Sequence, residues 1–415
     1  MEKLRPSNRK ISSGALFMML LMFSGISMSA DLYVNQKSGD DKLSGLAATA
    51  SGADGPFRSI AAAVRNANSG DTIHLSSGTH HDAVKFRDKA GAPDRPIVLD
   101  GHGATLTGSA PLDPEDWEAL GDGLFRSTVF LWKDGILLKD KPGEFNNPRI
   151  NRFFLIWNGK INRMGRCSKG YCPPLPSPAD LKSGEWTYVE AEKAFYLRLA
   201  AGSNLNQEKI EYPRMLDGVA IGGSCSNLLV RDLTVTHFLN DGFGIKDSAR
   251  AIVFENIRAI ECGDDGMSAH NEAQIEVSDF KAEGNGTGIT HVHNSRSVNR
   301  RVSLLGNGVN LRIDDTGMHA FQDSIIGGHD GSVVVVGKKG KCLLKLENVW
   351  VKEESWPSVF APEPPGRKSS VIEIAGTGEL ESRQVLVDKI LNVSEKIREQ
   401  LIDNDKVDLG RLPTK

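Results

Sequence analysis

The stretch Leu229-Val230-Arg231-Asp232-Leu233 is the first of five short segments in which apolar and polar residues alternate around one Asp or Asn. The Asx residue keeps the same place in each segment, at Asp232, Asn256, Asp279, Asp323 and Asn348. These positions differ by 24, 23, 44 and 25 residues, and 44 is twice 22. A period of ~20–25 residues is typical of chains built from stacked copies of one structural unit.

A second marker keeps the same spacing and predicts strands. Asx-Gly pairs, which favour tight turns, each precede a short run of alternating apolar and polar residues. The pairs are Asp241-Gly242, Asp265-Gly266, Asn285-Gly286, Asn307-Gly308 and Asp330-Gly331. A unit of this length cannot bury its own apolar face, so its copies must stack. The fixed leucine-and-asparagine frame of leucine-rich repeats is missing, which favours an all-β fold, a parallel β-helix.

The first hundred residues add motifs in a fixed order. Asp54-Gly55-Pro56-Phe57-Arg58-Ser59-Ile60 leads into Ala61 to Ala67, and Gly70-Asp71-Thr72-Ile73-His74-Leu75 and Pro96-Ile97-Val98-Leu99 follow. In this order they resemble the opening of the pectin-lyase-like superfamily of secreted polysaccharide lyases and glycoside hydrolases, which residues 213–380 resemble more loosely. The resemblance implies a right-handed solenoid with an N-terminal capping helix, which would cover the unpaired strand edges at its open end.

The N-terminus has the pattern of a signal peptide. Four Lys and Arg residues precede a 12-residue apolar run at 15–26, and the small residues of 27–30 suit cleavage. A membrane anchor is the alternative, but the run is shorter than the ~20 residues that a spanning helix needs. We therefore expect residues 1–30 to be removed and the mature protein to be secreted or periplasmic, without a membrane span.

The rest of the chain divides into four parts. Residues 31–114 are expected to form the N-terminal cap and the first coils, and residues 213–383 the main coils. Residues 384–415 begin with an amphipathic pattern at helical spacing, which predicts a C-terminal helix followed by a tail. Residues 115–212 interrupt the repeat with prolines and four of the six tryptophans, which predicts an inserted β-rich subdomain.

Composition limits the partners and the redox state. The net charge is −3 with no basic stripe, which argues against a nucleic-acid partner. Secreted proteins fold in an oxidising compartment. There, Cys167 and Cys172 would either form a local disulfide or remain thiols. Cys225, Cys262 and Cys342 lie in strand-like sequence and are expected to be buried thiols.

Equivalent side chains of successive coils form columns, with ~4.8 Å between neighbouring strands. The repeat predicts two outward columns, Lys246, His270, His293 and Asp314 in one and Gly244, Ser268, His291 and Arg312 in the other. Asp241, Asp264 and Asp265 lie at the turn leading into the same sheet. We interpret this concentration as a candidate active site, although charged strand faces and Asx turns also occur without function. Six histidines outside the columns receive no role: His74, His80, His81, His102, His319 and His329.

The first chemistry that fits the candidate site is hydrolysis. The order Asp241, Asp264-Asp265, His291, Arg312 is similar to the polygalacturonase family. The resemblance implies that the aspartates supply acid and base and that Arg312 binds a substrate carboxylate. Carboxylates on adjacent coils could reach the separation that an inverting hydrolase needs. The chain departs from that family in lacking its Gly-His-Gly motif and in having Asp314 in place of its lysine.

The second chemistry is β-elimination, which needs a cation at the uronate carboxylate and a base for the C5 proton. Arg312 or Lys246 would supply the cation, and His270, His291 or His293 would act as base or acid. No cofactor is expected, although calcium held by the adjacent aspartate pair is an option for this chemistry.

A polysaccharide substrate or ligand is the expected partner. Trp132 or Trp157 would stack on a sugar ring at the rim of the cleft and, with Asp314, would complete the substrate-binding residues. The alternative places these aromatics in the core of the insertion, where Gly184–Tyr188 and Phe195–Arg198 resemble a strand pair of β-helix glycosidases. A third hypothesis is a non-catalytic carbohydrate-binding or surface-structural β-helix protein. We expect a monomer in each case.

Overall fold

The structure is a computed structural model that describes most of the chain. The described residues are 29–129, 149–169, 172–329, 331–357, 359–360, 371–388, 401 and 407–413. No helix within these ranges is long and apolar enough to cross a membrane. The predicted signal peptide lies outside the described residues except for its last two positions.

Parallel strands dominate the chain before and after the insertion. The N-terminal elements are β1 (Asp31–Val34), α1 (Ile60–Asn66), β2 (Thr72–Leu75), β3 (Thr79–His80), β4 (Val84–Arg87) and β5 (Ile97–Thr107). The insertion contains β6 (Ser109–Pro111), β7 (Glu118–Gly121), β8 (Leu124–Ser127), β9 (Leu155–Trp157), β10 (Lys160–Asn162), β11 (Trp186–Val189), β12 (Ala194–Arg198) and β13 (Ile210–Pro213). The main coils contain β14 (Val219–Gly222), β15 (Ser226–Thr236), β16 (Phe243–Ile245), β17 (Arg250–Ile260), β18 (Asp265–Ala269), β19 (Gln274–Glu283), β20 (Thr287–His291), β21 (Arg296–Arg300), β22 (Ser303–Leu305), β23 (Val309–Asp314), β24 (Gly317–Gly328), β25 (Val333–Glu353) and β26 (Ile372–Val387). Short 3-10 helices lie at Pro114–Asp116, Arg149–Arg152, Pro178–Asp180, Glu190–Glu192, Leu205–Gln207 and Leu409–Arg411.

One layer of the solenoid, here called the front sheet, positions the candidate site. Its strands follow one another along the stack as β4, β14, β16, β18, β20, β23, the start of β25 and the start of β26. All of these pairs are parallel, so one residue of each coil lies directly above its counterpart. The column Val219, Phe243, Met267, Ile289, Leu311 and Val333 points inward and is buried. The main hydrophobic core therefore runs along the solenoid axis.

The Asx residues of the first marker form a corner between two layers. Asp232, Asn256 and Asp279 have φ values of 52°, 48° and 56°, and Asp323 and Asn348 have the same left-handed backbone. Asn and Asp adopt this conformation more readily than other side-chain-bearing residues because their short polar groups bond locally. Asn256 Nδ2 donates to Asp232 Oδ1 on the preceding coil at 2.6 Å. The sequence marker therefore records a bend that each long strand must make.

Helix α1 closes the open N-terminal end, as the sequence predicted, although it begins at Ile60 and ends at Asn66. Ser59 caps it by accepting a hydrogen bond from the backbone of Ala62. The apolar side of α1 is buried in the main core. At this open end of the solenoid, the helix covers the core residues that another coil covers elsewhere.

The insertion is β-rich and antiparallel. It holds two four-stranded sheets, ordered β10-β9-β13-β6 and β11-β12-β8-β7. The predicted strand pair is confirmed, since Trp186 to Val189 pairs antiparallel with Ala194 to Arg198. Trp117 and Trp186 are buried with Phe153 in a second hydrophobic core. The insertion therefore packs around its own apolar centre.

The C-terminal region differs from the prediction at its start. Val385 to Val387 were expected to begin a helix, but they continue strand β26, where Val385 pairs with Val349. The tight backbone ladder with β25 overrides the helical spacing of these apolar residues. Residues 389–400 lie outside the described residues, and Leu401 beyond them is helical and buried in the main core.

Replacing Asn256 with Val should lower the free energy of unfolding by about 1–3 kcal/mol, because a β-branched residue is strained at φ 48°. Asn256→Gly also removes the hydrogen bond to Asp232 but relieves the backbone strain. The decrease in its free energy of unfolding should therefore be smaller. Urea unfolding of the two variants measures the difference. Equal losses would show that backbone strain at the corner has no role.

Candidate active site

Three carboxyl groups meet where two neighbouring strands of the front sheet begin. Asp241 precedes β16, while one coil further on Asp264 precedes β18 and Asp265 opens it. One carboxylate oxygen of each residue lies within 4.8 Å of the others. All three residues are buried, with at most 5% of their surface exposed. Such close burial of three acids is costly unless protons or cations balance their charge.

Register and two hydroxyl groups fix the aspartates on the outer surface of the sheet. Asp241 and Asp265 are in register, because the Gly242 N–H donates to the Asp265 carbonyl at 2.8 Å. Ser268 Oγ donates to Asp241 Oδ2 at 2.6 Å, and Thr290 Oγ1 donates to Asp265 Oδ1 at 2.8 Å. Ser268 and Thr290 are outward positions of adjacent strands, so their hydroxyls hold both carboxylates outside the core.

The insertion supplies cations to this cluster. Lys169 Nζ lies 2.8 Å from Asp264 Oδ1 and also contacts Asp265. Arg152 Nη2 lies 3.0 Å from the other oxygen of Asp264, and the same guanidinium bonds to Asn240. Sequence reasoning missed both residues. They belong to irregular stretches about a hundred residues upstream, and no spacing rule connects them to the repeat.

The local charges move the pKa values of the aspartates apart. Burial, together with repulsion from Asp265, Asp217 and Asp264, raises the pKa of Asp241 to about 8. Burial alone would also raise the pKa of Asp264, but Lys169 and the neighbouring arginine hold it well below its usual range. Burial and the charge of Asp264 raise the pKa of Asp265. At neutral pH, Asp241 is therefore protonated beside an ionised Asp264.

Lys246 and His270 occupy the next outward positions on the same strands. Burial opposes the charge of Lys246, but Asp241 and Asp217 raise its pKa overall. Burial and the nearby Lys246 lower the pKa of His270 to about 4, so this imidazole is neutral at pH 7. A neutral imidazole and a charged ammonium therefore lie beside the acidic cluster.

His291 was predicted to face outward, and this prediction is wrong. Thr290, not His291, pairs with Ser268 and Arg312. His291 therefore points into the solenoid, has no exposed surface, and stacks on His319 with ring centroids 4.8 Å apart. The sequence alignment placed His291 beside Ser268 and so made this coil one residue too long. A shift of one residue turns every side chain of a strand to the opposite face.

His293 is displaced by the same slip. Val292 takes the column position expected for His293, which lies one residue later at a turn with φ 61°. Its ring centroid is nevertheless 5.9 Å from that of His270. Its Nε2 atom lies 3.9 Å from Asp315, so His293 belongs to the rim of the front sheet.

Arg312 and Asp314 point outward on β23, two strands beyond Ser268. Arg312 Nη2 donates to Asp314 Oδ2 at 2.8 Å, and Lys338 Nζ donates to the same oxygen at 3.1 Å. Since ~4.8 Å separates adjacent strands, Arg312 lies about 10 Å along the stack from Ser268. The pair is on the expected face, but its charges are already matched to each other.

Trp157 lies away from the carboxylates. It lines a cavity of about 750 Å³ on the insertion, together with Lys160, Asp180 and Phe360, and none of the three aspartates belongs to that lining. The ring is half-buried, and its Nε1 donates to Glu208 Oε2 at 3.1 Å. The structure therefore does not bring Trp157 to the candidate site, and Trp132 lies outside the described residues.

Cys167 and Cys172 are both thiols, so the disulfide alternative is wrong. Cys172 Sγ lies 3.1 Å from the carbonyl oxygen of Cys167. The other cysteines are buried thiols, as predicted, at Cys225, Cys262 and Cys342. The segment that follows Cys167 reaches the front sheet and delivers Lys169 to the aspartates.

Several solved structures are similar to this chain. A glycoside hydrolase matches with a TM-score of 0.50 and 11% identity, over 92% of this chain and 100% of that one. XylC in complex with xylose matches with a TM-score of 0.49 and 13% identity, over 87% and 70%. Pectate lyase Pel9A matches with a TM-score of 0.40 and 12% identity, over 92% and 79%. The fold is a right-handed parallel β-helix.

At these identities the likeness concerns the fold, which hosts several chemistries. No protein-family model matches the sequence, and no curated protein matches it as a relative.

Replacing Lys169 with Met should lower the free energy of unfolding at pH 7 by about 3–5 kcal/mol, because Asp264 and Asp265 would lose a buried cation. The pKa of Asp264 is lowered in the folded state, so its stabilising effect exists above its ordinary pKa and disappears as the pH falls. The deficit of the variant should therefore be full at pH 7 and smaller at pH 3, which lies below the ordinary pKa of 3.8. Urea titrations at both pH values measure it, with exposed Lys85→Met of the same sheet as the control. A deficit that does not change with pH would contradict the ion pair.

Replacing His291 with Leu should protect the protein against acid. Burial lowers the pKa of His291 to about 3, so protons bind the unfolded chain first as the pH falls below ~6.5. At about 1.4 kcal/mol per pH unit, the variant should gain about 3 kcal/mol relative to wild type between pH 7 and 4.5. Thermal or urea unfolding across this range tests the inward placement, and an unchanged acid dependence would argue for an outward ring.

Proposed function

We propose that this protein is a secreted enzyme that hydrolyses glycosidic bonds in a polysaccharide, with Asp241 as the proton donor. One arrangement carries the proposal: on the outer surface of the solenoid, Asp241, whose pKa is raised, lies within 4.8 Å of Asp264, whose pKa Lys169 and Arg152 lower. Asp241 Oδ1 is buried and has no hydrogen-bond partner among the described residues, while its other oxygen is held by Ser268. A fixed, neutral carboxyl with one unsatisfied oxygen is suited to donate a proton.

The unequal pair matches the needs of glycoside hydrolysis. One carboxylic acid protonates the leaving oxygen, and a second, ionised carboxylate stabilises or attacks the sugar carbon. Asp264 fits the second role because Lys169 and Arg152 keep it charged. The closest carboxyl oxygens lie within 4.8 Å, below the ~6.5–9.5 Å of inverting enzymes and nearer the ~5–5.5 Å of retaining ones. The spacing supports retention of configuration rather than the inversion considered from sequence.

The surrounding face supports a sugar substrate. Lys246 and His270 present an ammonium and a neutral imidazole beside the acids, and both can bond to sugar hydroxyls. The glycoside hydrolase that matches over its whole length has the same fold, which motivates this substrate class. We propose that the secreted protein acts as a monomer on an extended chain lying across the front sheet.

A second candidate, β-elimination, is favoured by the same three carboxylates. Their oxygens are the donors that Ca²⁺ prefers, and Asp241, Asp264 and Asp265 would hold the ion. Such an ion would neutralise the carboxylate of a uronate. Lys169 lies between two of these carboxylates, so the described charges are already largely balanced, which supports hydrolysis over the cation-dependent reaction.

Activity on a panel of acidic and neutral polysaccharides separates these candidates. Hydrolysis releases reducing ends without near-ultraviolet absorbance and should persist in EDTA. Elimination at a uronate creates an absorbing, unsaturated product and would need added Ca²⁺. Sugar binding without either signal would identify a non-catalytic protein and would end the hydrolase proposal.

Replacing Asp241 with Asn should lower kcat by at least about a hundredfold, because the proton donor is lost. The variant should fold normally, since Asn is neutral like the protonated carboxyl. With a pKa of about 8, the acid loses its proton as the pH rises, so wild-type kcat should fall above pH ~8. Measurements of kcat against pH test both points, with Asp232→Asn at a corner as the matched control. Full activity of Asp241→Asn would exclude this residue as the acid.

A further inference from the structure

A second polar cluster lies on the first coils, outside the front sheet. The rings of Tyr33, His74 and His102 stack on one another, with centroids 5.2 Å and 5.1 Å apart. They belong to β1, β2 and the corner of β5, which are successive neighbours in the sheet. Sequence reasoning gave these histidines no role because they lie outside the predicted columns.

The two histidines of this stack face each other through ring nitrogens. His74 Nδ1 lies 2.8 Å from His102 Nε2. The far nitrogen of each ring meets a carboxylate: His74 Nε2 is 2.9 Å from Asp31 Oδ1, and His102 Nδ1 is 3.4 Å from Asp100 Oδ1. Asp31 attracts the proton of His74 to its far nitrogen, which leaves Nδ1 of this ring with a lone pair towards His102.

At 2.8 Å these two nitrogens share one proton in an N–H···N hydrogen bond, which a metal ion would replace. Asp100 adds a third donor, because one of its oxygens lies within 4.8 Å of one nitrogen of each ring. This carboxylate is 4% exposed and is fixed from behind by Arg231, whose Nε and Nη2 atoms each lie 2.8 Å from Oδ2. Three donors from two coils therefore converge on one point.

We infer that His74, His102 and Asp100 form a binding site for a divalent transition-metal ion of the Zn²⁺ kind. Two imidazoles and one carboxylate suit Zn²⁺, Cu²⁺ or Ni²⁺ and not the all-oxygen preference of Ca²⁺ and Mg²⁺. Asp31 on the far side of His74 provides the carboxylate–histidine–metal arrangement that orients a ligating ring. A cavity of about 500 Å³ bordered by Tyr33 and both rings leaves room for water as a further ligand.

The ion would stabilise the N-terminal end of the solenoid. It would join β2 to the corner of β5, and Asp31 would couple β1 to the same point. None of its ligands belongs to the front-sheet cluster, so the site is independent of the proposed hydrolysis.

Zinc binding to the EDTA-treated protein tests the inference. Isothermal titration should show one Zn²⁺ per chain, and Zn²⁺ should raise the Tm while Ca²⁺ and Mg²⁺ leave it unchanged. His74→Ala and His102→Ala should abolish the shift, and Asp31→Asn should weaken affinity about 10–100-fold. His81→Ala, an exposed histidine near the same end, should bind as wild type does.

X-ray absorption of the zinc-loaded wild type should show two imidazole ligands at ~2.0–2.1 Å, which does not depend on the folding of any variant. If the protein binds none of Zn²⁺, Cu²⁺ and Ni²⁺ stoichiometrically, the inference is wrong and the two rings share only a proton. Binding without an imidazole signal would overturn it as well.

Discussion

Every inner strand of the front sheet is hydrogen-bonded to the strand one coil before it and the strand one coil after it. This parallel ladder sets the height of each side chain, so the number of residues in a coil decides which residues meet. From Phe243 to Met267 the coil has 24 residues, and from Met267 to Ile289 it has 22. The shorter coil places Thr290 beside Ser268 and turns His291 inward. The core and the acidic cluster both depend on this vertical register.

The acidic cluster shows how the solenoid and the insertion depend on each other. Three buried acids would repel one another strongly in a low-dielectric setting. The front sheet offers Ser268 and Thr290, which hold the carboxylates in place but cannot neutralise them. Lys169 and Arg152 come from the insertion and balance much of the charge. The insertion is therefore part of the site and not merely an appendage to the fold.

Sequence reasoning found the features that repeat along the chain. The Asx corners, the capping helix and the aspartates before β16 and β18 all follow from local patterns with a physical cause. It failed where one residue in one coil decides the outcome, as at His291. It also failed where partners come from distant, irregular sequence, as with Lys169 beside Asp264 and His74 beside His102. Those contacts arise from three-dimensional packing, which no period or motif encodes.

The insertion also separates two strands that are neighbours in space. Val84 of β4 pairs directly with Val219 of β14, although the two residues are 135 positions apart in the sequence. During synthesis, the edge of β4 therefore stays unpaired until the whole antiparallel subdomain and then β14 have left the ribosome. Closing so long a loop costs entropy and slows folding, and a waiting edge can pair with another nascent chain. If the insertion folds early, it brings its own two ends together. The edge of β4 would then stay unpaired for a shorter time in the newly made polypeptide.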